Sequence, residues 1–248
     1  MESESEHNSD NSLKQTQNNI ETERKRSIEI LPENTDKSDL SFKIIIIGDS
    51  FVGKSSLANK AIKNQFDKLY NTTLGFDYFS FFVKIEDLVV KLQIWDTCGQ
   101  EIYQSLITNF YRNSSLAIMV YSINNKPSFE HIDNWLKAIR INSNPDAKII
   151  LIGNKADLEQ ERQVTQEEAQ KYADDLEFSK FYEASAKTGF NAQKIFVEAA
   201  NLLYDDYIDY KSSKSHNSSM ISEGSENKKL NLSNDTKNSN KDKSKECC

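Results

Sequence analysis

FKIIIIGDSFVGKSS (42–56) constrains the fold more than any other stretch of this chain. Four consecutive isoleucines run directly into a glycine. A run with no polar position has no face to give to water. It is predicted as a strand buried on both sides, as in a parallel sheet. GDSFVGKS follows at once, and a helical pattern follows that. The spacing G-x-x-x-x-G-K-[ST] between a strand and a helix is the arrangement that cradles polyphosphate. Backbone N–H groups of the loop point inward, and the helix adds the positive end of its dipole. The candidate cradle is Ser50, Phe51, Val52, Gly53, Lys54, Ser55 and Ser56. Lys54 is placed to reach the β- and γ-phosphates, and the Ser55 hydroxyl to ligate Mg²⁺.

Two further apolar runs, SLAIMVYSI (115–123) and KIILIGN (148–154), are predicted as buried strands, with KFYEAS (180–185) a shorter one. Helical spacing lies between them. KPSFEHIDNWLKAIRIN (126–142) has Pro127 in its first turn, and its apolar residues recur at helical intervals. TQEEAQKYADDLE opens with Thr165 and Glu168 at capping-box spacing. DYFSFFVKIEDLVVKLQIW breaks the alternation. Its two runs are separated only by Glu86 and Asp87, so they are predicted as a hairpin with one antiparallel strand. The fold class is therefore α/β: a six-stranded, mostly parallel sheet with one antiparallel strand and helices on both faces.

GNKAD (153–157) ends the third buried strand, on the ligand side of such a sheet. The Asp157 carboxylate can accept from N1–H and the 2-amino group of guanine. Adenine lacks both donors, and mismatches of this kind are discriminated by about 10⁴. Asn154 and Lys155 belong to the same segment. WDTCGQE (95–101) ends the hairpin. Asp96 is suited to hold Mg²⁺ through water, Gly99 to offer an N–H to a γ-phosphate, and Gln100 to orient an attacking water. In EASAKTG, the backbone of Ser185, Ala186 and Lys187 is placed to close over the base. Six of the seven glycines lie in or beside these segments, where a backbone must approach a ligand closely.

Composition bounds the rest. Residues 1–40 and 211–248 are polar and poor in apolar groups, and are predicted to be disordered. That leaves 41–210 as one domain. A net charge of −7 argues against a nucleic-acid binder. No apolar run has the length of a spanning helix, and Met-Glu-Ser-Glu reads as neither a secretory signal nor a myristoylation site. Only Cys98 lies in the domain, which predicts a reducing, cytosolic setting without internal disulfides. His7, His131 and His216 are far apart and predict no metal cluster.

Taken in order, these motifs resemble the Ras superfamily of small GTPases, and within it the Rab family, over about 41–210. YNTTLGFDY is similar to the Rab first switch, WDTCGQEIY to the second, and FYRNS and MVYSI to the segments after it. The resemblance implies a P-loop NTPase-type G domain that binds GTP or GDP with Mg²⁺ and hydrolyses GTP slowly without a partner. It implies that Thr73 ligates Mg²⁺ and senses the γ-phosphate. It places Phe66 against the guanine, and Tyr78, Trp95 and Phe110 on the surface presented to effectors. Cys247 and Cys248, behind a flexible tail, resemble a double prenylation signal. Two lipid chains anchor stably where one does not. The implied partners are an exchange factor, an activating protein, a prenylation escort, a GDP dissociation inhibitor and effectors. The protein is expected to be a monomer, cytoplasmic and reversibly attached to the cytosolic face of an intracellular membrane, directing vesicle traffic. Three positions depart from the pattern: Phe51 in the phosphate loop, Cys98 beside Gly99, and Ile102 after Glu101. Ile102 bears on regulator contacts, while Phe51 and Cys98 keep open an alternative, a GTP-binding membrane scaffold with negligible hydrolysis, against which Gln100 argues.

Overall fold

The computed structural model describes residues 26–67, 76–97 and 110–222. The sheet is built from β1 (Ile28–Leu31), β2 (Leu40–Ile47), β3 (Phe76–Ile85), β4 (Leu88–Thr97), β5 (Leu116–Ser122), β6 (Lys148–Asn154) and β7 (Lys180–Glu183). Its order is β1-β3-β4-β2-β5-β6-β7. β3 pairs antiparallel with both neighbours, and every other pairing is parallel. β3 is thus the single reversed strand of a seven-stranded sheet. The described helices are α1 (Lys54–Lys63), α2 (Lys126–Glu130), α3 (Ile132–Asn142), α4 (Gln166–Asp175) and α5 (Ala192–Ser222). The chain divides into two units between Tyr207 and Ile208, within α5.

The isoleucine run of β2 shows why the sheet sits where it does. Ile44 and Ile46 join a core with Leu57 and Ala61 of α1 and Phe196 and Leu203 of α5. Ile45 and Ile47 point the other way, into a core with Trp135 and Ile139 of α3 and Ala169 of α4. All four isoleucines are fully buried. Successive side chains of a strand alternate faces, so a continuous apolar run needs a layer on each side. The hairpin alternates instead: Val90, Leu92 and Ile94 are buried, while Lys91 and Gln93 are half-exposed. Glu86 turns the hairpin at φ 51°. Thr165 caps α4 through its Oγ1, which accepts from Glu168 N at 3.1 Å.

Three expectations are corrected. The sheet has seven strands, not six. The added one, β1, falls inside 1–40, the segment whose composition predicts disorder. Ile28, Glu29, Ile30 and Leu31 provide four residues of ladder with β3, which low average hydrophobicity conceals. At the other end, α5 continues past residue 210 to Ser222. Composition predicts an inability to bury surface, but a helix already nucleated extends by one hydrogen bond per residue. Ser212 and Ser213 also donate back to Asp209 O, both at 2.8 Å. Finally, the helix expected over 126–142 is divided at His131.

Candidate nucleotide site

The carboxyl ends of the parallel strands bring the motifs together. After β2 the backbone turns at Gly48, φ 139°, where an added Cβ would stand 2.1 Å from Val120 O. No side chain fits there. Gly53, φ 94°, lies against Asn154 in the same way, at 2.4 Å. Lys54 opens α1 and is buried. Its Nζ donates to Gly48 O at 2.8 Å and Asp49 O at 2.7 Å, which folds the ammonium back over its own loop. Val52 is buried, and Ser50, Ser55 and Ser56 are half-buried. Phe51 is 63% exposed with φ 65°. That left-handed conformation costs a non-glycine residue about 1–2 kcal/mol.

A carboxylate lies beside this loop. Ser55 Oγ donates to Asp96 Oδ2. Asp96 is fully buried, and its Oδ1 has no hydrogen-bond partner among the described residues. Burial raises the pKa of this carboxyl to about 6, against the Ser55 hydrogen bond and the Lys54 charge, with Asp77 adding to the rise. A buried acid with an orphan oxygen next to a serine hydroxyl fits a divalent cation. Such an ion would satisfy the oxygen and offset the desolvation. Ser55 and Asp96 would hold Mg²⁺ here. Thr97 Oγ1 donates to Ile46 O at 2.9 Å and fastens the end of β4 to β2.

The base-side segments are cross-linked to the phosphate loop. Asn154 Nδ2 donates to Val52 O at 2.7 Å, and its Oδ1 accepts from Ala186 N at 3.2 Å. One buried amide thus joins the phosphate loop, the end of β6 and the loop after β7. Lys155 follows at φ 65°, with its amine lowered from the ordinary lysine value, mainly by burial and against the pull of Asp157. Asp157 Oδ1 accepts from Ser185 Oγ at 2.6 Å, and Lys187 Nζ lies 3.5 Å from Oδ2. Both carboxylate oxygens are thereby oriented. Ser185 is itself fixed, since its Oγ also accepts from Thr188 N at 3.1 Å. Phe66 is half-buried and packs against the α1–α5 side of the core. Thr73, Cys98, Gly99, Gln100, Ile102, Cys247 and Cys248 lie outside the described residues.

A model of the Ras family matches residues 43–205, well over half of the chain. The chain belongs to the Ras family. It is a small GTPase, a switch that binds guanine nucleotide, and the family works through regulators and effectors. The Ras-family match begins inside β2 and stops inside α5. β1 is therefore an addition outside it.

Two groups in this Ras-family domain escape sequence reading. Asp49 is clamped by α3: Trp135 Nε1 donates to its Oδ1 at 2.8 Å, and His131 Nδ1 lies 2.6 Å from Oδ2. The acid fixes the first turn of the phosphate loop to the helix that starts beside it. Phe76 joins Tyr78, Trp95 and Phe110 in one aromatic patch. Its ring centroid lies 5.2 Å from that of Trp95 and 4.5 Å from that of Phe110. Tyr78 meets Trp95 at 5.5 Å, and Trp95 meets Phe110 at 5.6 Å. The signal that pointed to Phe76 was its place on the same strand face as Tyr78, two residues on.

Proposed function

We propose that this chain is a Rab-type GTPase, carrying prenyl groups on Cys247 and Cys248, that regulates vesicle traffic. It shuttles between the cytoplasm and the cytosolic face of an intracellular membrane. The observation that carries this reading is the aromatic patch. Phe76 and Tyr78 are 43% and 45% exposed on the strand that leads out of the first switch segment. Exposed, clustered aromatics are what a partner surface buries as anchors. A patch at this place is coupled to the nucleotide, because the segments on either side of it hold the candidate γ-phosphate contacts.

In the cycle, Lys54 and the phosphate-loop N–H groups bind the phosphates, and Asp157 selects guanine. Mg²⁺, when bound at Ser55, Thr73 and Asp96, neutralises charge on the phosphate oxygens. Thr73 and Gly99 hold their segments in the GTP state, and Gln100 orients the attacking water. Hydrolysis releases both segments and withdraws the ordered effector surface. An activating protein supplies an arginine, since none stands at the site among the described residues, worth about 10³–10⁵ in rate. An exchange factor reloads GTP. A prenylation escort and a GDP dissociation inhibitor handle the lipids, and the protein works as a monomer. Residues 211–248 form the tether, of which the stretch to Ser222 is helical.

The test is escort-dependent lipidation. The purified chain is incubated with a Rab prenyltransferase, labelled geranylgeranyl diphosphate, and with or without escort protein. Two lipids per chain, only with escort, are expected, and none on the Cys247→Ser, Cys248→Ser double variant. One lipid without escort, or no lipid at all, contradicts the Rab reading.

A further inference from the structure

Strand β1 stands outside the family match and clips onto three places at once. Its four residues pair with the outer edge of β3, Ile28 opposite Ile85 and Leu31 opposite Phe82. Ser27 grips the hairpin turn. Glu86 N donates to Ser27 O at 2.9 Å, and Ser27 N donates to Glu86 Oε1 at 3.1 Å. Arg26 reaches α5, with its Nη1 2.6 Å from Asp205 Oδ1 and its guanidinium 5.5 Å from the Tyr204 ring centroid. Residues 26–30 are all exposed, and Leu31 is half-buried. A four-residue edge strand held by an exposed ion pair is an element that opens locally without global unfolding.

Arg24, Lys25 and Arg26 directly precede Ser27. Residues 1–23 hold six Asp or Glu and one Lys, so this cationic run stands apart from its surroundings. An exposed hydroxyl behind three consecutive cations fits the acidic substrate groove of a protein kinase. We propose that Ser27 is a phosphorylation site and that its modification releases β1 from the edge of β3. The kinase transfers the γ-phosphoryl group of ATP to Ser27 Oγ. The new O–P bond forms as the bond to the β–γ bridging oxygen breaks. ADP departs, and the hydroxyl proton passes to the kinase's base.

The product carries about −1.5 to −2 charges at a residue already bonded to the Glu86 carboxylate. Like charges then face each other at the clip's centre. The phosphate also competes with Asp205 for the Arg26 guanidinium. Both effects weaken the closed form and neither weakens the open one. Phosphorylation therefore holds the clip open and exposes the backbone of residues 82–85.

The full-length, nucleotide-loaded chain is incubated with ATP and the catalytic subunit of a basic-directed protein kinase. Phosphate is located by mass spectrometry, and amide exchange is followed before and after. One phosphate is expected at Ser27, and none there in Ser27→Ala. Amide exchange in residues 28–31 and 82–85 should rise about tenfold, with β5 and β6 unchanged. Glu86→Gln, which keeps the acceptor without the charge, should cut that rise to about threefold or less. Retained nucleotide reports an intact fold in each sample. No incorporation at Ser27, or full incorporation with unchanged exchange at both edges, overturns the proposal.

Discussion

Asp96 shows at a single residue how a ligand site is built at the expense of the empty fold. Its folded-state pKa, about 6, stands above the usual carboxylate value of 3.8. The folded protein therefore favours the protonated form. In nucleotide-free, metal-free protein, this group destabilises the fold as pH rises from about 4 through 6, by about 3 kcal/mol in all, and the cost stays constant above that. Asp96→Asn should remove that slope and raise melting temperature at pH 8, while weakening Mg²⁺-dependent nucleotide binding. Paired melting curves at pH 4.5 and 8, with and without Mg²⁺ and GDP, check both halves. Asn154→Ala removes the amide that joins three loops and leaves Val52 O and Ala186 N unpaired. It should cost about 2 kcal/mol and speed nucleotide release at least about tenfold, read by stopped-flow with a fluorescent GDP. Where the described motif residues lie was legible because each motif is contiguous and its backbone context follows from the strand before it. The Asp49 clamp was not. Its partners lie 82 and 86 residues away, and only the docking of α3 brings them together.

Among elements, Arg162 ties the turn from Ala156 to Glu161 to the end of β7. Arg162 Nη1 and Nη2 reach the two Glu183 oxygens at 2.6 and 2.9 Å, and Nε and Nη2 reach Glu159 at 2.9 and 2.6 Å. The side chain of Glu183 is only 10% exposed. Arg162→Ala would leave that carboxylate buried and unpaired, at a cost of about 3 kcal/mol. Thermal denaturation should fall by roughly 6–12 °C for a domain of this size. A change under about 2 °C would show that water replaces the arginine without loss. Strands β2, β5 and β6 were legible because apolar runs of this length have few other uses. The hairpin was legible because its polar and apolar positions alternate. The division of the 126–142 helix was not legible. His131 has helical φ but ψ −9°, and its ring is turned to Asp49, a contact without local sequence signature.

At the scale of the whole molecule, the sequence divides into a middle that is easy to read and two margins that are not. Buried runs dominate 42–205, and the order of strands and motifs follows from them. At the margins, single short elements are carried by an existing sheet and an existing helix. β1 borrows the edge of β3, and the last turns of α5 borrow a nucleus laid down by Ile195, Phe196 and Ala199. Composition measures what a segment can bury by itself, so it misses structure that a neighbour completes. The central claim is that these parts assemble one pocket selective for guanine nucleotide. It is tested most directly by stripping the protein of nucleotide, adding Mg²⁺ with equal GTP and ATP, desalting, and identifying the bound base. About one guanine nucleotide per chain with no adenine is expected, and Asp157→Asn should lose that preference. Protein that emerges without guanine nucleotide, or with as much adenine as guanine, contradicts the account.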